Sequence, residues 1–453
     1  MLTRVMRAGV RRAEPRPYIT GTVLTEPRDK IMAANSTTLP RGSVMIRKTF
    51  AASLTLGVAF ASPAFALEAD AFAERLKAAL QKSSYAMEYS TATLDGSNVT
   101  LEGVKLGIDP SAMGGGPDST GAFFIDDATV VFENVTEEEG GYVVGRIGRT
   151  DVTGEIPEVG GEDEPASYTI GEWFVENLRV PAEGATGLAS FINADRYGIR
   201  DVAFSLAGQQ YVTLASAEAT GTIEGNSYDT DATLSEMVVD LSVSADESPE
   251  LKSWIEGTGY KILTIDGEFE ADWNMDDGMF SIPTYSFTLR DMGQFSMDMA
   301  FGGLTESVFE QLMEVSQAGN GDAQAQQAAG MQMLGLLAQL SFGGFEISYR
   351  DAGMADTLLE YYASENGQTK DQLVQQTVGA LPIVLGQLQS PELQAQVQEA
   401  VTSFLNDPTS IRLSLKPDTP LPFPAIMGAA ASPSALAEAL NAQVTSGELG
   451  AME

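Results

Sequence analysis

The sequence contains no cysteine and no histidine. Their absence excludes Ser-His-Asp and Cys-His catalysis, zinc sites of imidazole and thiolate, and haem held by histidine. It also excludes disulfide bonds and an N-terminal lipoprotein anchor on the mature chain. A P-loop, a dinucleotide-binding glycine motif and a nucleophile elbow are absent too. We therefore expect no cofactor and no metal site, and we assign no catalytic residue.

Basic residues are scarce. The chain has 26 Lys and Arg against 63 Asp and Glu, which gives a formal net charge of −37 at pH 7. A surface of this charge repels phosphate backbones, so we expect no nucleic-acid partner. Anionic membrane surfaces are disfavoured for the same reason.

Long apolar runs are lacking as well, and the one notable run has the features of an export signal. Met45-Ile46-Arg47-Lys48 is cationic, Thr49 to Phe60 is apolar, and Ala64-Phe65-Ala66 offers small residues for cleavage. The pattern predicts a Sec-type signal peptide over 45–66, cleavage after Ala66 and a periplasmic protein without a transmembrane helix. Residues 1–44, rich in Arg and Pro, are interpreted as a mis-called leader.

The first half of the remaining chain has the period of β-strands. From Thr91 to about Phe301, apolar residues alternate with polar ones, after an amphipathic helix over Leu67 to Gln81. Gly-containing turns punctuate the strands at Asp95-Gly96, Gly140-Gly141, Asp266-Gly267 and Asp277-Gly278. Residues 67–303 therefore predict a long antiparallel meander with an N-terminal helix.

Residues 304–453 have mainly helical periodicity. A late strand is expected over Ser410 to Leu415, and the prolines from Pro417 to Pro424 favour an extended run before a last helix near Pro433 to Leu440. The predicted fold class is α+β, with a long antiparallel sheet and a helix-rich C-terminal part that packs on it.

Soft apolar side chains recur on two of the predicted helices, and they could line an adaptable apolar groove. The alternative is ordinary packing of these helix faces against the sheet. The candidate groove residues are Met331, Met333, Leu334, Leu337, Leu381 and Leu385.

Two short patterns have both a structural and a functional interpretation. Asp272 to Gly278 begins like a calcium loop, but Asp277 and Pro283 stand where that loop needs Gly and Glu, so a hairpin turn is favoured. Arg290-Asp291-Met292-Gly293 is echoed by Arg350-Asp351-Ala352-Gly353. Such repeats are typical of strand ends with an Asp-initiated turn, and two equivalent functional sites are the alternative.

Several segments together resemble a family of uncharacterised exported proteins of alphaproteobacteria. They are the signal peptide, the opening Leu67 to Phe72, the helix Met331 to Leu337 and the Pro-rich tail after Ile411. The architecture, an exported antiparallel meander, is more distantly similar to AsmA- or YdgA-like envelope proteins, which implies a role in lipid handling or envelope assembly.

Two functions are therefore expected from the sequence. The first is a non-catalytic periplasmic protein that supports envelope assembly or binds an apolar ligand, with lipid or an envelope protein as partner. The alternative is a carboxylate-dependent hydrolase, which would need two buried Asp or Glu side chains across a cleft.

Overall fold

The computed structural model describes residues 67–83, 85–108, 123–156, 166–245, 248–318 and 323–447. The predicted leader and signal peptide lie outside the described residues. These described residues belong to one compact unit.

A single antiparallel sheet of sixteen strands is the main feature of the described chain, with the order β1-β3-β4 and so on through β14 to β16. Each strand from β4 to β13 pairs with the strand directly before it, while β2 pairs β3 and β15 pairs β13. The strands are β1 Tyr85–Glu88, β2 Thr91–Asp95, β3 Asn98–Ile108, β4 Phe123–Glu138, β5 Gly141–Ile156, β6 Ala166–Val180, β7 Asn193–Leu206, β8 Gln209–Glu224, β9 Ser227–Asp240, β10 Ile262–Asn274, β11 Met279–Leu289, β12 Gly293–Gly302, β13 Ser341–Asp351, β14 Ser410–Leu415, β15 Leu421–Pro422 and β16 Ala442–Ser446.

Tight turns set the register of the meander. Between β7 and β8, Ala207 and Gly208 have φ of 47° and 77°, and between β4 and β5, Glu139 and Gly140 have φ of 51° and 80°. Two successive positive φ values are the mark of a type I′ hairpin, whose twist matches that of the flanking strands. These two-residue turns explain why consecutive strands are neighbours in the sheet.

The described residues form nine α-helices, seven of them after β12. The predicted α+β fold, a long antiparallel sheet with a helix-rich C-terminal part, is confirmed. The helices are α1 Ala69–Lys82, α2 Pro249–Thr258, α3 Glu306–Ala318, α4 Ala323–Leu337, α5 Met354–Glu365, α6 Lys370–Leu385, α7 Pro391–Asn406, α8 Phe423–Ala429 and α9 Pro433–Ala439.

The main buried core lies where α1 packs on the first strands. Phe72 is fully buried, and its ring makes edge contacts with Phe132 at 5.1 Å and Tyr142 at 5.4 Å between centroids. Leu101 and Val144 are also fully buried in this cluster. The stripe predicted on the N-terminal helix therefore anchors it to the sheet.

Helix α7 packs on the opposite end of the sheet. It contacts β14 and β16, the side-chain oxygen of Gln396 accepts a hydrogen bond from the Val444 amide at 3.2 Å, and Phe404 packs edge-on against Tyr349. The sheet between the ends packed by α1 and α7 carries the site described below.

Two local expectations are wrong. Asp266-Gly267 lies inside β10 instead of in a turn, because Asp266 accepts hydrogen bonds from the Glu236 amide and the Arg290 guanidinium. The run before Pro433 is not wholly extended, since α8 begins at Phe423 and the Phe423 ring stacks on Phe301.

Among the described residues, no helix combines the length and the apolar character that crossing a membrane requires.

Candidate functional site

An apolar hollow lies on one face of β6 to β11. Tyr197, Ala219, Ala232, Phe269 and Tyr285 are successive register partners on five neighbouring strands. Register partners in an antiparallel sheet present their side chains on the same face, so the five form one row. A second row two residues away contains Ile199, Ala217, Leu234, Gly267 and Phe287.

The hollow exists because small residues lie between large ones. Ala219 and Ala232 fill the centre of the first row, whereas Tyr197 lies on one side and Phe269 and Tyr285 lie on the other. The resulting cavity measures about 600 Å³. It falls within the size range of small-molecule sites in proteins, about 300–1,000 Å³.

A second cavity of about 470 Å³ continues from the first. It is lined by Phe191 of the β6–β7 connection and Phe309 of α3, whose ring centroids lie 5.7 Å apart. Trp273 lies 4.8 Å from the Phe309 ring and donates its indole N–H to the Leu304 carbonyl at 2.8 Å. Because Tyr197 and Phe269 line both cavities, we treat the two as one apolar trough.

Large apolar side chains remain exposed along this face. Tyr197 is 46 % exposed, Tyr285 36 % and Phe287 37 %, and the adjoining strands add Phe295 and Ile347. An apolar patch of this kind commonly marks a binding surface in a protein.

The polar residues around the trough carry hydroxyl, amide or carboxyl groups. Glu218, Thr233 and Glu268 border the first cavity, but strand alternation places their side chains on the opposite face. Tyr197, Tyr228 and Thr230 lie at or near the junction of the two cavities. Burial, and then the neighbouring Tyr228, raises the pKa of Tyr197, so this phenol stays protonated. At the far end, burial and a hydrogen bond with Asp229 raise the pKa of the Asp272 carboxyl.

The opposite face of the same strands carries a charged ring around Phe174. Alternation along β6 places Phe174 on the face opposite Val175, and Phe174 is 2 % exposed. The guanidinium groups of Arg146, Arg196 and Arg200 lie 5.6, 4.9 and 4.7 Å from the centre of its ring. This geometry is that of a cation–π interaction.

Three glutamates close this ring of charges. Glu172 bridges Arg146 and Arg200, Glu176 bridges Arg146 and Arg196, and Glu218 bridges Arg196 and Arg200. We call the six residues the Arg–Glu ring. Their equal numbers of opposite charges make it a structural network on the polar face of the sheet.

The polar face also carries a pair of acidic residues, Asp298 and Glu346, which are direct partners across β12 and β13. The Lys416 ammonium lies 3.6 Å from Asp298 and 3.1 Å from Glu346, and Arg412 Nε lies 3.0 Å from Glu346. Burial, partly offset by Lys416, raises the pKa of Asp298. The two carboxyls line a small pocket of about 200 Å³.

The residues proposed for a groove on the helices are divided between two helices. In α4, Met331 and Leu334 are 70 % and 57 % exposed, while Met333 packs on a buried cluster and Leu337 is half-buried. In α6, Leu381 is half-buried and Leu385 is buried. Helix α4 packs with α3, whereas α6 packs with α5 and α7. None of the six lines either cavity of the trough, and a groove on these helices stays a prediction.

The calcium-like segment forms the β10–β11 turn, as the favoured interpretation predicts. Asn274 pairs with Met279, and the Asn274 side-chain oxygen accepts hydrogen bonds from the amides of Asp276 and Asp277 at 2.9 and 3.4 Å. Gly278 has a φ of 72°. No group of three or more acidic residues suited to a metal occurs in the part of the chain that the structure describes.

The two Arg-Asp-x-Gly segments are neighbours in space. Gly293 pairs directly with Asp351, and the Met292 carbonyl accepts hydrogen bonds from the amides of Ala352 and Met354 at 3.0 and 3.2 Å. Asp351 accepts a hydrogen bond from the Gly353 amide at the start of α5. The geometry is that of a strand end with an Asp-initiated turn.

Sequence reasoning missed the trough. Its signal is present as alternate small residues, Ala217 and Ala219 on one strand and Ala232 on the next. The pairing that places these alanines between aromatic residues is a property of register, which depends on turns distant from them.

Comparison with known proteins gives a match over the C-terminal region. No curated protein matches the chain. A family model described as an uncharacterized protein matches residues 286–447, from within β11 to the end of β16. Residues 286–447 are therefore similar to an uncharacterized protein family.

Proposed function

We propose that this chain is a non-catalytic protein of the bacterial envelope that binds an apolar ligand in the trough. The single observation that carries the proposal is the open apolar trough across β6 to β11, with cavities of about 600 and 470 Å³. An apolar surface that stays in contact with water costs about 25 cal/mol per Å², and a ligand that covers it recovers this free energy.

The location in the envelope is supported by the sequence. The segment from Met45 to Ala66 has the features of an export signal, and the resemblance to exported alphaproteobacterial proteins and to AsmA-like proteins points the same way. In this proposal the protein works in the periplasm, where an apolar molecule that leaves a membrane needs a carrier or a holding site.

The test is to express the full chain with its own export signal, purify it from the periplasm and analyse bound molecules by lipid extraction and mass spectrometry. We expect an apolar molecule in near-stoichiometric amount. The variant Ala232→Phe fills the centre of the trough and should lose it. Thr220→Phe, on the adjoining strand β8, is the matched control. Its side chain is exposed on the opposite face and lines neither cavity, so this variant should retain the ligand. Equal loading of both variants would reject the trough as the site.

A carboxylate-dependent hydrolase is the second candidate, and the raised pKa of Asp298 beside Glu346 favours it. Against it, both carboxyls lie on adjacent strands of one face, and Lys416 and Arg412 hold Glu346 in ion pairs. The test is a screen of chromogenic glycosides with the wild-type protein and with Asp298→Asn. Turnover that Asp298→Asn abolishes would support the hydrolase, and no turnover would reject it.

A further inference from the structure

The residues that line the trough indicate the charge of the headgroup that its ligand can carry. No lysine or arginine occurs among the described residues that line the two cavities. A carboxylate or phosphate headgroup is normally held by Arg, by Lys or by a helix N-terminus, because its desolvation must be compensated by a cation or by several N–H donors. The trough lining offers no such cation.

Negative charge lies close to the trough. Glu268 directly follows Gly267 on β10 and lies on the opposite face, and Asp272 lies at the end of the second cavity. The whole chain has a formal net charge of −37. An anionic headgroup in the trough would therefore meet an unfavourable potential as well as an uncompensated desolvation cost.

What the trough does offer is phenolic hydroxyl groups. Tyr197 and Tyr228 face the second cavity together, and Tyr285 lines the first. Within the described residues, no hydrogen bond engages the hydroxyls of these three tyrosines. A phenol can both donate and accept, and it therefore matches an alcohol, ester or amide group of a ligand.

We propose, on the basis of the proposed function, that the natural ligand is an uncharged amphiphile. Its apolar chain lies along the aromatic and alanine rows, and its hydroxyl or ester oxygen bonds to Tyr197 and Tyr228. Anionic amphiphiles, such as fatty acids and acidic phospholipids, are selected against.

The experiment compares ligands that share one apolar chain and differ in headgroup. A fluorescent apolar probe is bound to the purified, delipidated protein and displaced by a fatty alcohol, by its monoacylglycerol counterpart, or by the fatty acid of equal chain length. At about pH 8 the fatty acid would be ionised in water, since its carboxyl titrates near 4 to 5. We expect the two uncharged compounds to displace the probe at concentrations at least about tenfold lower than the fatty acid requires.

Tyrosine variants test the hydrogen bonds. The double variant Tyr197→Phe, Tyr228→Phe should lower the affinity for the fatty alcohol by roughly two- to tenfold, which corresponds to one net hydrogen bond. Its affinity for an alkane of equal length should not change. Tyr85→Phe changes an exposed tyrosine on β1, outside the trough lining, and is the matched control.

The outcomes separate the two proposals. If the fatty acid displaces the probe as well as the alcohol does, or if the double variant binds the alcohol like wild type, the headgroup assignment is wrong and apolar binding stands. If neither the probe nor any of these compounds binds, both this assignment and the proposed function are overturned.

Discussion

At the scale of single residues, the Arg–Glu ring shows how the sheet carries opposite charges on its polar face. Glu218 accepts hydrogen bonds from Arg196 and Arg200, and the three arginines stack around Phe174. The hydrogen bond from Arg200 is the largest cause that lowers the pKa of the Glu218 carboxyl, and Arg196 adds to it. The ionised form of Glu218 is therefore the one that the fold stabilises.

Glu218→Gln should lower the free energy of unfolding at neutral pH. Because the folded state lowers the pKa of Glu218, its contribution is present above the ordinary glutamate pKa and is lost as the pH falls through the folded-state value. The difference between variant and wild type should thus shrink below about pH 4.5. Urea denaturation across pH 3 to 7 measures it, with Glu224→Gln on the same strand as the control. A difference that does not change with pH would contradict the linkage.

Gly171→Ala should destabilise the sheet. A Cβ at Gly171 would lie 2.7 Å from the Cβ of Asp201, closer than side chains approach one another, and Asp201 has a φ of 51°. We expect a loss of about 1–3 kcal/mol in the free energy of unfolding, the usual cost of overpacking. Gly379→Ala in α6 meets open space and should instead gain about 0.5–1 kcal/mol from helix propensity. Thermal and chemical denaturation would reveal opposite signs, and equal shifts would reject the close contact as the cause.

At the scale of elements, the contact between the β11–β12 turn and the start of α5 links the sheet to the C-terminal helices. Asp351 accepts hydrogen bonds from the amides of Gly353 and Ala355, both at 2.8 Å, and from the Tyr349 hydroxyl at 2.7 Å. Burial, and next the hydrogen bond to Asp351, raises the pKa of Tyr349. The carboxylate caps the first turn of α5.

Asp351→Asn should lower the free energy of unfolding by about 1 kcal/mol, because the amide removes one acceptor and the negative charge at a helix N-terminus. Asp291→Asn, at the equivalent place in the other Arg-Asp-x-Gly segment, is the matched control. Asn tolerates its positive φ of 61°, and we expect a change within about 0.5 kcal/mol. Guanidinium denaturation of both variants measures the difference, and an equal loss would mean that the two segments have equivalent roles.

Element types were largely predictable from the sequence, because alternation and helical periodicity extend over long segments. The strand period from Thr91 to about Phe301 and the helix at Pro391–Asn406 are examples. Short elements were missed where local composition opposed the tertiary context. Helix α8 begins at Phe423, directly after a proline, because its ring stacks on Phe301 of β12. Strand β16 forms by pairing with β14, a contact that no local pattern encodes.

The site was not predictable to the same degree. The apolar pattern predicted a groove that includes Met331 and Leu334, and both are exposed on α4. The trough is built instead from residues on six strands. Which alanine faces which aromatic residue depends on the register of every hairpin between β6 and β11. This register is a property of the complete fold, so the pattern of any single segment does not predict it.

At the scale of the whole molecule, charge is the dominant property. The formal net charge of −37 includes 26 basic residues, of which ten precede residue 67. Self-repulsion of this size opposes the compact state, and salt screens it. Salt should have the opposite effect on the Arg–Glu ring, because it weakens the ion pairs of these partly exposed side chains.

We expect net repulsion to prevail, so that the melting temperature rises as sodium chloride increases from about 10 mM to about 150 mM. Differential scanning calorimetry measures the series. Choline chloride at the same ionic strengths is the control, since equal shifts show screening instead of specific binding of sodium. A melting temperature that stays constant or falls would contradict the expectation.

Each strand from β4 to β13 is hydrogen-bonded to the strand directly before it in the chain. Pairing between sequence neighbours needs little loop closure, which is the step that slows the folding of most large sheets. A polypeptide that is synthesised from its N-terminus can therefore add one strand at a time to an edge that is already in place. The connections become long and helical from β13 onwards, because α3 and α4 precede β13 and α5 to α7 precede β14. A chain whose synthesis is arrested in the middle of the meander would thus hold a partial sheet with one open edge, a species on which a chaperone could act.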